Sequence, residues 1–145
     1  MFIKLVRLLL VDDFQPFRRL ISSSLKHTPA LRVVGEAADG VEAVHRAEQL
    51  KPDVILLDIG LPLLSGLEAA RRIRVLVPES KILFVSQECS ADIVQETFNL
   101  GAAGYVVKTD VYCDLVIVID AVIRGEKFVS ASLTGPHHPN FTNTN

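Results

Sequence analysis

The sequence predicts an α/β fold: a doubly wound, five-stranded parallel sheet with helices on both faces. Three observations carry that expectation. Short apolar runs alternate with helix-like segments along most of the chain. The runs are continuous, as in Leu8-Leu9-Leu10-Val11 and Val54-Ile55-Leu56-Leu57, which suits strands buried on both faces. Several runs end in a residue able to carry chemistry, Asp12-Asp13 and Asp58 foremost.

Taken in order, strands are expected over 5–11, 31–36, 53–57, 81–85 and 104–107, and helices over 15–26, 40–50, 66–76, 91–100 and 111–124. In the first helix Phe17, Leu20, Ile21 and Leu25 repeat at helical spacing, and Pro16 falls where a first turn tolerates a missing N–H. Asp39-Gly40-Val41-Glu42 and Ser65-Gly66-Leu67-Glu68 read as helix starts, each with a capping side chain and an acid three residues on. Gly101 and Gly104 punctuate the approach to the last strand. Val111, Leu115, Val118, Ile119 and Val122 form a core stripe in the last helix. Ile117 and Ala121 fall opposite, beside Asp114, Asp120 and Arg124, which suits either a dimer or partner contact or ordinary scattered surface residues. Regular β-α alternation calls for right-handed crossovers and a parallel sheet. After Gly125 the pattern dissolves. Residues 1–130 are read as one domain, and 131–145, with Gly135-Pro136-His137-His138, as a polar tail or the start of a linker.

Composition narrows the function. The 145 residues are 49% hydrophobic and 22% charged, enough for one globular core. A net charge of −2 without a basic cluster argues against direct nucleic-acid binding. Lys4 and Arg7 interrupt the apolar start, no cleavage site follows, and no stretch approaches a membrane span, so a cytoplasmic protein without membrane contact is expected. Cys89 and Cys113 are far apart and form no metal or redox motif.

In a doubly wound sheet, ligands bind beyond the carboxyl ends of the strands. Asp12 and Asp13 follow the first strand, Asp58 the third, Ser86 the fourth and Lys108 the fifth. Two carboxylates ~4 Å apart repel by roughly 4 kcal/mol at an effective dielectric of about 20, so three acids call for a cation. Magnesium or manganese takes carboxylate oxygens and leaves room for a phosphate oxygen. Asp58 is then placed as a carboxylate nucleophile toward a phosphoryl group, with Lys108 and the Ser86 hydroxyl holding the other phosphate oxygens. An aspartate-based phosphohydrolase would want a second acid two residues after the nucleophile, where Gly60 stands.

These residues lie in Leu10-Val11-Asp12-Asp13, Asp53-Val54-Ile55-Leu56-Leu57-Asp58-Ile59, Leu61-Pro62 with Gly66, Phe84-Val85-Ser86, and Gly101-Ala102-Ala103-Gly104-Tyr105-Val106-Val107-Lys108. Together they resemble the receiver domain of bacterial two-component response regulators, the CheY-like fold, over about residues 5–130. The resemblance implies strand order 2-1-3-4-5, phosphorylation of Asp58 by a sensor histidine kinase, and metal held by Asp13, Asp58 and the Gly60 carbonyl with Asp12 assisting. It implies a signalling domain rather than an enzyme, with at most slow hydrolysis of its own aspartyl phosphate. Ser86 and Tyr105 would relay the change to the surface of the fourth helix, fifth strand and fifth helix, a possible homodimer contact. Gly125-Glu126-Lys127-Phe128-Val129-Ser130 resembles the end of receivers that precede a helix-turn-helix DNA-binding module, which implies transcriptional regulation. The chain departs from the usual pattern at Gln87, Leu61 and Thr109, the last replacing a proline. Gly60, Gln87 and Glu88 are expected to tune rates. A phosphorylation-independent interaction module on the same fold is the alternative.

Overall fold

A computed structural model describes residues 4–130 and residue 133, the side chains of 112–114 excepted. His137, His138 and the other expected tail residues, as well as the Cys113 and Asp114 side chains, lie outside the described set. The elements are β1 (Val6–Val11), α1 (Gln15–Leu25), β2 (Leu31–Ala37), α2 (Gly40–Leu50), β3 (Val54–Leu57) and α3 (Gly66–Leu76). They continue with β4 (Lys81–Ser86), α4 (Ala91–Asn99), β5 (Gly104–Val107), a 3-10 turn at Lys108–Asp110, α5 (Val111–Ile123) and β6 (Phe128–Val129). The sheet is parallel throughout, in the order β2-β1-β3-β4-β5-β6.

Each apolar run serves two cores at once, because successive side chains in a strand point to opposite faces. Leu9, Val11, Ile55, Leu57, Ile82, Phe84 and Tyr105 pack with Ala43, Ala47, Ala70, Ile73 and Val94 of α2, α3 and α4. Leu8, Leu10, Val54, Leu56, Leu83, Val85 and Val106 pack with Ile21 and Leu25 of α1 and with Leu115, Val118, Ile119 and Val122 of α5. Burying one such side chain stabilises by about 1.5–3 kcal/mol, and this two-sided demand removes the polar alternation an open sheet would show.

The helix starts form as their sequences predict. The Asp39 carboxylate accepts from the Glu42 N–H at 2.7 Å, and the Glu42 carboxylate reaches back to the Ala38 N–H at 2.8 Å. The Ser65 hydroxyl accepts from the Glu68 N–H at 3.2 Å. Both caps satisfy N–H groups that a helix end leaves unpaired.

Three expectations need correction: the strand count and the exposures of Leu20 and Ala121. The sheet has a sixth strand where the pattern was expected to dissolve: Gly104 and Tyr105 pair with Phe128 and Val129. Two residues carry no readable periodicity; the open edge of β5 recruits them through backbone groups. Leu133, on the tail side of the expected boundary, is only 1% exposed and joins the cluster containing Tyr105 and Val94. Leu20 is 40% exposed, so the α1 stripe is narrower than its spacing suggests; a helix at the margin of the sheet touches it along fewer positions. Ala121 is buried, because the chain turns back at Gly125 and the Glu126 N–H donates to the Ala121 carbonyl at 3.0 Å. Of the expected apolar outer face of α5, Ile117 alone remains exposed among its described members.

Candidate functional site

The residues expected at strand ends converge on one rim. Asp12 continues β1 by donating its N–H to the Ala37 carbonyl at 3.1 Å, and Asp58 continues β3 by donating to the Val11 carbonyl at 3.1 Å. These bonds fix the two acids side by side. Oxygens of Asp12, Asp13 and Asp58 lie within 4.8 Å of one another. Asp12 and Asp58 are buried and Asp13 is exposed. From the end of β5, Lys108 Nζ reaches Asp12 Oδ2 at 2.6 Å and Asp58 Oδ2 at 3.3 Å.

The turns after Asp12 and Asp58 are pinned. Asp12 Oδ1 accepts from the Phe14 N–H at 2.9 Å, and the Asp12 carbonyl accepts from Arg18 at 2.5 Å. Asp58 Oδ1 accepts from the Ile59 N–H at 2.7 Å. After Ile59 the chain folds tightly, with Gly66 N–H donating to the Ile59 carbonyl at 2.8 Å. Gly66 is required there: a Cβ would stand 2.0 Å from the Asp58 carbonyl oxygen. Gly60 faces open space, with nothing within 4 Å of a Cβ.

Burial raises the Asp12 pKa above 3.8 and the charge of Asp58 adds to that, outweighing Lys108 and the Phe14 N–H. For Lys108, burial alone would lower the pKa, but Asp12 and Asp58 overcome it and hold the ammonium firmly charged. Asp12 Oδ2 is buried with no directional hydrogen bond; its close partner is the ammonium, off the bonding angle. A hard divalent cation seeks such carboxylate oxygens, so the three acids are chemically suited to one.

A cavity of about 460 Å³ opens over the acids, lined by Asp13, Phe14, Asp58, Ile59, Gly60, Ser86, Gln87, Glu88 and Lys108. All the expected site residues line it except Asp12, which lies beneath, and Tyr105, which stands behind. Ser86 Oγ accepts from the Glu88 N–H at 3.2 Å, and the Tyr105 hydroxyl donates to the Glu88 carbonyl at 2.6 Å. Tyr105 is fully buried and stacked on Phe84, ring centroids 6.2 Å apart. Its ring therefore sits in the core, with the hydroxyl turned toward Glu88. Glu88, expected to tune rates, also joins Ser86 to Tyr105 through its backbone.

Sequence reasoning missed Phe14, Phe17 and Arg18. Lys108 Nζ lies 4.5 Å from the centre of the Phe17 ring, a cation–π contact that supports the ammonium from below. Arg18 ties the Asp12 carbonyl to Glu36. The α1 pattern marks these side chains as near the sheet, but only the packing shows which reach the pocket. Cys89 is exposed beside the cavity.

A three-layer α/β sandwich with acids and a lysine meeting at its strand ends is the architecture of a phosphosignalling receiver. The chain belongs to the response regulator receiver domain family, whose model matches residues 8–119 and so includes Asp12, Asp58 and Lys108. It is 32% identical over 131 residues to the transcriptional regulatory protein LiaR of Bacillus subtilis (strain 168), covering 90% of this chain and 62% of that protein. It is 35% identical over 130 residues to the response regulator GacA of Pseudomonas viridiflava, covering 89% and 60%. A solved two-component response regulator of the LuxR family from Aurantimonas sp. SI85-9A1 superposes with a TM-score of 0.84 at 32% identity, covering 89% of this chain and 92% of that one. The chain thus spans about three fifths of the length of these two curated relatives. It is a receiver domain of the two-component type, a signalling fold, and the family does not favour a phosphorylation-independent module. Among the described residues no helix is long and apolar enough to cross a membrane.

Proposed function

We propose that Asp58 is the phosphoryl acceptor of this receiver. The observation that carries the proposal is the bridging of Asp12 and Asp58 by Lys108 beneath an open cavity. The donor is a phosphohistidine of a sensor kinase. An Asp58 carboxylate oxygen forms the new P–O bond as the P–N bond breaks, and the imidazole keeps the departing electron pair. Lys108 moves its charge from the carboxylates to the phosphoryl oxygens, and Ser86 Oγ donates to another. Such transfer depends on placement and charge rather than on covalent help from the protein.

Asp12, Asp13, Asp58 and the Gly60 carbonyl would hold Mg²⁺ or Mn²⁺, which when bound neutralises the charge gathering on the transferred group. Gln87 and Glu88 line the cavity, where they would tune the rates of loading and loss. Phosphorylation adds about −1.5 to −2 charges, enough to redraw the Ser86–Glu88–Tyr105 contacts and carry the change to α4, β5 and α5. Because β6 occupies the β5 edge, a homodimer through that surface would rest on α4 and α5, where Ile117 is exposed. Residues 1–130 form the receiver unit in this reading, and 131–145 a polar tail or linker fastened at Leu133. The setting is a cytoplasmic kinase-to-regulator pathway, and the names of the relatives support transcription as its output.

Incubating the chain with a small acyl phosphate and Mg²⁺ should add one phosphoryl group to the intact mass, and Asp58→Asn should abolish the addition. An unchanged addition in that variant would sink the assignment.

A further inference from the structure

Ser130 stands just past β6, outside every motif the acid pocket requires, yet it is only 1% exposed. Its Oγ accepts from the Val107 N–H at 3.3 Å and donates to a carboxylate oxygen of Asp110. Its N–H donates to the Tyr105 carbonyl at 2.9 Å, and its carbonyl accepts from the Leu133 N–H at 2.9 Å. A serine hydroxyl has one proton to give and two lone pairs, so both side-chain bonds are made at once. Val107 and Asp110 bracket Lys108. One buried hydroxyl is therefore fastened to the chain on both sides of the pocket lysine.

We propose that Ser130 is a positioning residue for Lys108, linking the segment after β6 to the occupancy of the acid pocket. The inference rests on the role of Lys108 proposed above. A lysine side chain is long and flexible, so its ammonium is delivered only as well as its Cα is held. Thr109 brings no proline ring to stiffen the turn, and that turn lies partly open to solvent. The Ser130 clasp supplies the missing constraint. When the ammonium leaves Asp12 for phosphoryl oxygens on Asp58, the turn at Lys108–Asp110 shifts against a hydroxyl that also holds the start of the outgoing chain. Leu133, buried in the cluster containing Tyr105, is the second anchor of that segment. Coupling between sites is reciprocal, so whatever pulls on the outgoing segment also loosens the lysine.

The full chain is compared with Ser130→Ala, Asp110→Ala and the double variant, using acetyl phosphate with Mg²⁺ and reading phosphoryl loading by intact mass. Each single change should slow loading roughly tenfold, since small misplacements of a charge-stabilising group cost rate steeply. Loading is read at saturating Mg²⁺, so that a slower rate reports the placement of Lys108 rather than loss of the metal. The two changes share the Ser130–Asp110 bond, so the double variant should load faster than the product of the two single effects predicts. Native loading in Ser130→Ala, or single effects that multiply in the double, would overturn the proposal. A residue that merely stabilises the fold would give the multiplying result.

Amide exchange provides a readout that does not depend on phosphorylation. Ser130→Ala should raise exchange at residues 107–110 by about tenfold, reporting local opening. Unchanged exchange there overturns the clasp. Loading the native chain should alter exchange at residues 128–130, and identical exchange overturns the link to the outgoing segment. If the native chain itself takes no phosphoryl group, the acceptor assignment fails, and exchange at 107–110 in Ser130→Ala decides the clasp alone.

Discussion

Gly66→Ala is a direct test of how the acceptor loop is built. A Cβ at this position would lie 2.0 Å from the Asp58 carbonyl oxygen and 2.8 Å from both the Asp58 carbonyl carbon and the Ile59 Cα. Ordinary contact begins at 3.4 Å, so the chain must yield by about 1.4 Å. The obstacle is backbone, which has no rotamer to change, and the backbone is that of the acceptor itself. Overpacking of this kind costs about 1–3 kcal/mol, and the rigid obstacle places Gly66→Ala near the upper end. A ~1 Å displacement of a reacting group costs on the order of 100-fold in rate. Urea unfolding and acyl-phosphate loading should therefore both be impaired, rate far more than stability. Gly60→Ala is the stability control in the same loop, because its Cβ meets nothing within 4 Å. Gly66→Ala with native stability and native loading would refute the argument, as would an equal loss of stability from Gly60→Ala.

Other outcomes follow from the same contacts. Leu133→Ala should lose about 2–5 kcal/mol in urea unfolding, as for a fully buried leucine, and a loss below about 0.5 kcal/mol would place the side chain at the surface. Asp12 has a raised pKa, chiefly from burial, so its contribution favours folding below pH 3.8 and is lost as pH rises through its folded value. Asp12→Asn should therefore melt higher than native at neutral pH without metal, the gain shrinking toward acid; a lower melting temperature at neutral pH refutes this. Burial, aided by the charges of Glu88 and Asp58, lifts the Tyr105 hydroxyl well above its ordinary 10.0, so its contribution is intact below pH 10 and is lost as pH climbs past it. An ultraviolet titration against Tyr105→Phe should show this tyrosinate only at higher pH or with unfolding, and a normal transition near 10 contradicts the burial.

Much of the fold was legible in the chain because its physics is local. Continuous runs such as Leu8–Val11 and Val54–Leu57 could satisfy two helical layers only as central parallel strands, and Asp39 and Ser65 carried their own helix starts. The acids and lysine at the run ends were legible for the same reason: a strand that stops at a carboxylate places it on the sheet rim. The resemblance joined them into one pocket. What the tertiary structure decided involves groups with no local signature. β6 is two residues long and exists because β5 offers an unpaired edge. Leu20 and Ala121 exchanged the exposures their helical phases suggested, since the margin of the sheet and the returning chain set what each helix face meets. Phe17 beneath Lys108 and Ser130 across it are set by packing between segments remote in sequence. The sequence by itself determined which residues end the strands. Only three-dimensional packing decided how the lysine among them is held, because that depends on contacts among β5, α1 and the chain beyond β6.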